Sequence, residues 1–114
     1  MNEYRRAKRR KVGDIDVIDT MTGQSVGKLS NLSETGMLLI LGQPIISDAL
    51  FQLRFTLTSE NGRSRNVDVG AHALWSDDAA APGQVWTGFR FITVPQEQML
   101  ELRNWIDAPG GQFE

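Results

Sequence analysis

Two runs of alternating apolar residues, separated by a tight-turn signal, constrain the fold of this chain more than any other feature. The first run covers residues 51–57 and the second covers residues 67–75. Between them lies Asn61-Gly62, a dipeptide that accepts the positive φ angles of a two-residue hairpin turn at little cost. The pattern predicts two antiparallel strands that each have one apolar face and one polar face.

Four further segments also have the composition of strands. They cover residues 12–19, 25–32, 37–41 and 85–92. A turn containing Gly23 separates the first two segments, which predicts a second hairpin. The third segment is a continuous apolar run bounded by Gly36 and Gly42, and its short length favours a buried strand over a helix.

A single helix is expected near the end of the sequence. Its apolar residues at helical spacing are Met99, Leu102, Trp105 and Ile106. Pro95 suits the first turn, and we expect Thr93 to cap the helix while Gln96 reaches back to it. Six strands and one terminal helix, without alternating strand–helix units, predict an all-β fold with a C-terminal helix, either an antiparallel barrel or a half-open sheet.

Length and composition limit the remaining possibilities. A chain of 114 residues is sufficient for one core but not for two. No apolar run approaches the roughly 18 residues of a membrane span, and the first residues lack the apolar region of a secretory signal. The sequence contains no cysteine, which excludes disulfides and thiolate chemistry. We therefore expect a cytoplasmic protein with one domain.

Positive charge is concentrated at the start of the sequence. Residues 1–11 contain six basic residues against Glu3, a net charge of +5, whereas the remainder contains 6 basic and 13 acidic residues, a net charge of −7. We divide the chain into a flexible basic arm (1–11), a folded body (12–108) and a tail (109–114). Such an arm on an acidic body indicates either a specific anionic partner or a solvated, disordered segment.

Two short motifs accompany this charge pattern. Asn31, Ser33 and Gly36 form the pattern Asn-x-Ser-x-x-Gly in an expected loop, and the arm contains Arg-x-x-x-Arg. The first motif alone also fits an Asx turn between strands. Together and in this order, the two motifs resemble the signatures of the PilZ domain. The resemblance covers nearly the whole chain and implies a six-stranded antiparallel β-barrel with a C-terminal helix that binds cyclic di-GMP.

The resemblance also implies which residues contact this ligand. The arginine motif fits two registers, and we prefer Arg6 with Arg10, which leaves Arg5 and Arg9 as auxiliary contacts. Arginine suits the ligand because its guanidinium can pair with phosphate oxygens or with the guanine edge.

In the second motif, Asn31 would hydrogen-bond a guanine edge and Ser33 would hydrogen-bond guanine or phosphate. Gly36 would let the backbone bend close to the nucleotide. Trp75 ends the second alternating run. In some PilZ domains an aromatic residue at this place faces the ligand, and the alternative is a position in the barrel core.

Catalysis is not expected. His72 is the only histidine and lies between small residues of a strand, while Asp77-Asp78 reads as a solvated loop. Metal sites and histidine-based nucleophilic catalysis therefore lack their residues. The expected function is a cyclic di-GMP receptor, without a cofactor, whose arm closes on the nucleotide to regulate a protein partner, with outputs such as motility or biofilm formation. The alternative is a small β-barrel that binds nucleic acid through the arm.

Overall fold

The computed structural model describes residues 7–46 and 48–114, and in these ranges the chain forms six strands and one helix. The elements are β1 (Arg10–Asp19), β2 (Gln24–Leu32), β3 (Gly36–Leu41), β4 (Leu50–Thr58), β5 (Ser64–Asp78), β6 (Val85–Thr93) and α1 (Gln96–Asp107). All six predicted strands and the predicted helix are present.

The six strands close into an antiparallel barrel. Their order around the barrel is β1-β2-β3-β6-β5-β4, and β1 pairs with β4 through Ile18 and Asp19 to complete the circle. This arrangement confirms the predicted fold class and selects the closed barrel over the half-open sheet. Closure leaves the sheet without a continuous free edge.

The barrel interior is apolar. The buried hydrophobic residues of the strands are Val17, Leu29, Leu32, Met37, Leu39, Leu41, Leu53, Phe55, Leu57, Val67, Val69, Ala71, Ala73, Val85 and Phe89. In β4 the buried residues alternate with exposed ones, as period-two spacing predicts. Helix α1 adds Leu102 and Ile106 to this core. Within the described ranges, no helix has both the length and the apolarity needed to cross a membrane.

Strand β5 is the longest element, with 15 residues, and its pairing with β6 is irregular at two places. Irregularities in its pairing with β6 lie between Gly70 and Ala71 and between Ala73 and Trp75. A bulge shifts the side-chain alternation of a strand. The second irregularity places Leu74 and Trp75 together on the outer surface, where each is 48% exposed.

Three boundaries differ from the predicted ones. Strand β1 begins at Arg10, so Arg10 and Lys11 belong to the strand and not to the arm. Asn31 still lies in β2 and Gly36 opens β3, so the expected loop is shorter than its motif. The short connection is possible because Ser33 pairs its backbone N–H with the carbonyl of Gly36, 2.9 Å away, which keeps β2 and β3 in register.

The predicted cap of α1 is wrong. Thr93 is the last residue of β6, and the helix begins after Pro95, whose extended backbone occupies the N-cap position. Among the described residues, no side chain caps this end. The Pro95 carbonyl instead accepts the N–H groups of Gln98 and Met99, as the first turn of a helix requires.

Candidate functional site

The turn of the second motif is organised by Ser33. This residue is fully buried, and its Oγ accepts the N–H groups of Thr35 and Gly36, both at 3.2 Å. The same hydroxyl lies 3.2 Å from the Gly36 carbonyl and can donate to it. Ser33 therefore uses its hydrogen-bonding capacity within the turn, and the structure gives it the turn-forming role rather than a surface position.

Gly36 is required by the close approach of β3 to β6. It pairs with Arg90, and a Cβ at this position would collide with the carbonyl oxygen of Phe89. Because that oxygen belongs to the backbone, it cannot move aside as a side chain would. Ser33 and Gly36 thus fix the shape of the turn, and through it they hold the end of β2 in place.

Asn31 is the residue of the motif that faces the arm. Arg9 donates from Nη1 to Asn31 Oδ1 over 2.9 Å. The register of β1 and β2 pairs Lys11 with Asn31. Arg9 directly precedes β1 and is two residues from Lys11, so continued alternation puts both on the same face. This face is the outer surface of the barrel, although Arg9 and its neighbours leave Asn31 only 3% exposed.

Arg10 lies on the opposite face, against the end of α1. Its guanidinium carbon is 4.4 Å from the centre of the Trp105 ring, and its Nη1 donates to the carbonyls of Trp105 and Ala108. A cation is favoured at this end of a helix because the last carbonyl groups carry partial negative charge. The structure therefore separates Arg10 from Asn31 and makes it a link between β1 and α1.

Trp75 lies with Arg9 and Asn31 in one shallow cavity. The cavity has a volume of about 170 Å³ and is lined by Arg9, Asn31, Met37, Leu38, Leu74, Trp75, Gly88 and Phe89. The indole lies over Gly88 on the neighbouring strand, so one ring face is supported from below. Trp75 is half exposed and outside the core, contrary to the core alternative. We refer to Arg9, Asn31 and Trp75 as the outer-face cluster.

The sequence-predicted residues thus fall into three groups. Arg9, Asn31 and Trp75 are brought together, while Ser33 and Gly36 support them from the adjoining turn. Arg10 faces the helix. Arg5 and Arg6 lie outside the described residues, so their predicted contacts stay predictions.

Sequence reasoning missed one residue at this site, Glu114. Asn31 Nδ2 donates to Glu114 Oε2 over 2.7 Å, across 83 residues of sequence. No local pattern signals this contact, because it depends on where the segment after α1 is directed.

A second and larger cavity lies between the β4–β5 hairpin and α1. It has a volume of about 290 Å³, and its lining includes Arg10, Arg63, Arg65, Glu101 and Trp105. Arg65 and Glu101 form an ion pair, with 3.5 Å between Nε and Oε1. In this hairpin cavity Glu60 and Glu101 offset part of the charge of the three arginines, and the lining includes no residue of the Asn-x-Ser-x-x-Gly motif.

Comparisons with known proteins agree with the architecture. The sequence model of the PilZ domain matches residues 3–108. The solved structure of the Bacillus subtilis Inhibitor of motility (MotI/DgrA) is similar, with a TM-score of 0.70 at 14% sequence identity. The likeness covers 88% of this chain and 48% of that chain, and at this identity it concerns the fold. A search of curated proteins found no match. With a family match over nearly its whole length and the closed six-stranded barrel, this chain belongs to the PilZ domain family.

Proposed function

We propose that this PilZ domain binds cyclic di-GMP at the outer-face cluster and acts as a receptor that transmits binding to a protein partner. The observation that carries the proposal is the hydrogen bond between Arg9 and Asn31 in a cavity shared with Trp75. It brings one residue from each of the two motifs together with an aromatic surface. Family membership supports a binding and adaptor role rather than catalysis.

The chemistry of the cluster suits a guanine nucleotide. The Arg9 guanidinium can form paired hydrogen bonds with phosphate oxygens or with O6 and N7 of guanine. The Asn31 amide offers both a donor and an acceptor to a base edge. The exposed face of Trp75 can stack on a purine or on an arginine plane. A single small surface thus provides charge, directional hydrogen bonding and stacking.

We further propose that the arginine motif acts in the register Arg5–Arg9. Arg9 is the described member of the motif that reaches Asn31, whereas Arg10 contacts α1. Arg5, four residues before Arg9, would then be the second ligand-binding arginine. This register replaces our preferred pair, Arg6 with Arg10, and it assigns Arg10 to the link between barrel and helix.

The same link gives binding a route to a partner surface. Arg9 directly precedes Arg10, which contacts Trp105 at the end of α1. A shift of Arg9 on nucleotide binding would therefore move Arg10 and alter this contact. Lys8 adds an ion pair with Asp107 at 2.7 Å. We propose that the arm closes on the nucleotide and that the altered α1 end engages or releases the partner. The similar solved structure is of an inhibitor of motility, which is compatible with a protein target.

Calorimetric titration with cyclic di-GMP tests the proposal. We expect micromolar or tighter binding by the parent protein. Arg9→Ala removes a charged hydrogen-bond donor and should weaken binding about tenfold or more. Asn31→Ala should do the same. Arg10→Ala should retain most of the affinity while lowering the melting temperature, since it faces the helix.

Arg63→Ala provides the matched control, because it removes the same charge from the hairpin cavity. Equal losses in Arg9→Ala and Arg63→Ala would contradict a specific site. No heat at tens of micromolar nucleotide would contradict the proposal as a whole. A nucleic-acid binder would instead hold single-stranded oligonucleotides, with an affinity that falls steeply with salt and changes little in Arg9→Ala.

A further inference from the structure

The segment after α1 folds back onto the start of β1. Lys11 donates its backbone N–H to the Gln112 carbonyl over 2.7 Å, and Glu114 donates to the Arg9 carbonyl over 3.0 Å. Arg10 and Phe113 form an antiparallel bridge between these two bonds. Because β1 pairs with β4 only at Ile18 and Asp19, the start of this edge is open to another strand. The segment 112–114, which we call the strap, takes that edge.

Two glycines allow the strap to reach this position. The chain leaves α1 through Ala108 and turns at Gly110, whose φ is +88°. It then passes over the side chain of Arg10, where a Cβ on Gly111 would lie 3.0 Å from Arg10 Nε and 3.1 Å from Cζ. A larger residue at Gly111 would press on that guanidinium. The close packing of the strap against Arg10 therefore depends on glycine at position 111.

The strap places a carboxylate on the outer-face cluster. Glu114 Oε2 accepts from Asn31 Nδ2 over 2.7 Å, while Asn31 Oδ1 accepts from Arg9. The oxygen and the nitrogen of the Asn31 amide are thus both hydrogen-bonded, which compensates for the burial of this polar side chain. The amide retains a second N–H and a second lone pair, but with Arg9 and Glu114 in place Asn31 is only 3% exposed. A guanine edge or a phosphate that uses Asn31 must therefore displace the Glu114 contact to reach it.

We propose that the strap is an intramolecular competitor whose Glu114 carboxylate occupies the nucleotide site and which cyclic di-GMP must displace. The proposal rests on the proposed function and adds a regulation of the same site. An acidic side chain is a suitable competitor, since it presents anionic oxygens to the surface that would otherwise accept the nucleotide. The apparent dissociation constant is then the intrinsic one divided by the fraction of molecules in which the strap is open.

The experiment uses calorimetry to compare the cyclic di-GMP affinities of four proteins, the parent chain and the variants Glu114→Ala, Glu114→Gln and Glu97→Gln. Glu114→Ala should bind about three to ten times more tightly than the parent, because the closed fraction falls. Glu114→Gln retains a hydrogen-bond acceptor without the charge and should lie between them. Glu97→Gln removes the same charge from the first turn of α1, and it should match the parent.

Hydrogen exchange supplies a readout that does not depend on affinity. The Lys11 amide is protected by Gln112 in the strapped form, so saturating cyclic di-GMP should make it exchange faster, as should Glu114→Ala alone. Tighter binding by Glu114→Ala together with faster exchange of the Lys11 amide would support the proposed competition by the strap. Binding by Glu114→Ala where the parent shows none would also support it.

Each negative outcome has a distinct meaning. Parent and Glu114→Ala binding with equal affinity would overturn the strap and leave the proposed function standing. Absence of binding in all four proteins would overturn both the strap and the receptor role. Tighter binding in Glu97→Gln to the same extent as in Glu114→Ala would reduce the effect to net charge and would also overturn the strap.

Discussion

At the scale of single residues, the two motifs divide into side chains that belong to the outer-face cluster and side chains that shape the adjoining turn. Asn31 carries the polar contacts, whereas Ser33 and Gly36 keep the turn closed. The residue types were sufficient to select these positions from the sequence. Their separate roles could not be predicted from the sequence, because the direction of a side chain depends on strand register and on how closely β6 approaches.

A titration at Asp68 tests the electrostatics of the barrel surface. Arg54 donates from Nε to Asp68 Oδ1 over 2.7 Å, and this hydrogen bond lowers the pKa of Asp68 below its ordinary value of 3.8. A lowered pKa stabilises the fold above pH 3.8, and the contribution is lost as the pH falls through the shifted pKa. We expect Arg54→Ala to move the pKa of Asp68 back towards 3.8.

The measurement is an NMR titration of the Asp68 carboxyl carbon in both proteins. Arg65→Ala serves as a control, since Arg65 pairs with Glu101 on α1. An unchanged pKa of Asp68 in Arg54→Ala would show that the ion pair does not form in solution. The effect on stability should be small, because both side chains are exposed to solvent.

At the scale of elements, the alternating runs predicted the strands but not the bulges of β5. The run ending at Trp75 is regular in sequence, and unbroken alternation would put this residue on the core face with Val69 and Ala71. The irregular pairing between Ala73 and Trp75 instead moves the indole to the outer surface.

The contact of Arg10 with α1 likewise could not be predicted from local spacing, because it spans 95 residues. It explains why the arginine register that we propose differs from the one preferred on sequence alone.

The contact between β3 and β6 gives a stability prediction. Gly36→Ala forces a Cβ against the Phe89 carbonyl, so β3 and β6 must separate locally. We expect a loss of about 1–3 kcal/mol in the free energy of unfolding, measured by urea denaturation. Gly42→Ala is the matched control, because a Cβ there meets nothing within 4 Å. Equal stability of the two variants would contradict the proposed packing role of Gly36.

At the scale of the whole molecule, the described part of the basic arm, residues 7–11, contacts the acidic body. Lys8 pairs with Asp107, Arg9 with Asn31 and Arg10 with the end of α1. Charge separation was evident from the sequence, and strand count and hairpins predicted either a barrel or a half-open sheet, while the resemblance to the PilZ domain implied the six-stranded barrel. The contacts of residues 8–10 were not evident from the sequence, because they involve α1 and the end of β2, which are distant along the chain.

The central claim is that cyclic di-GMP binds the outer-face cluster, and an NMR titration of the labelled protein tests it most directly. We expect the Asn31 side-chain amide and the Trp75 indole N–H to show the largest shifts on addition of the nucleotide. Both groups border the cavity that contains Arg9. Shifts concentrated at Arg63 and Arg65 in the hairpin cavity, or no shifts at saturating nucleotide, would contradict the account.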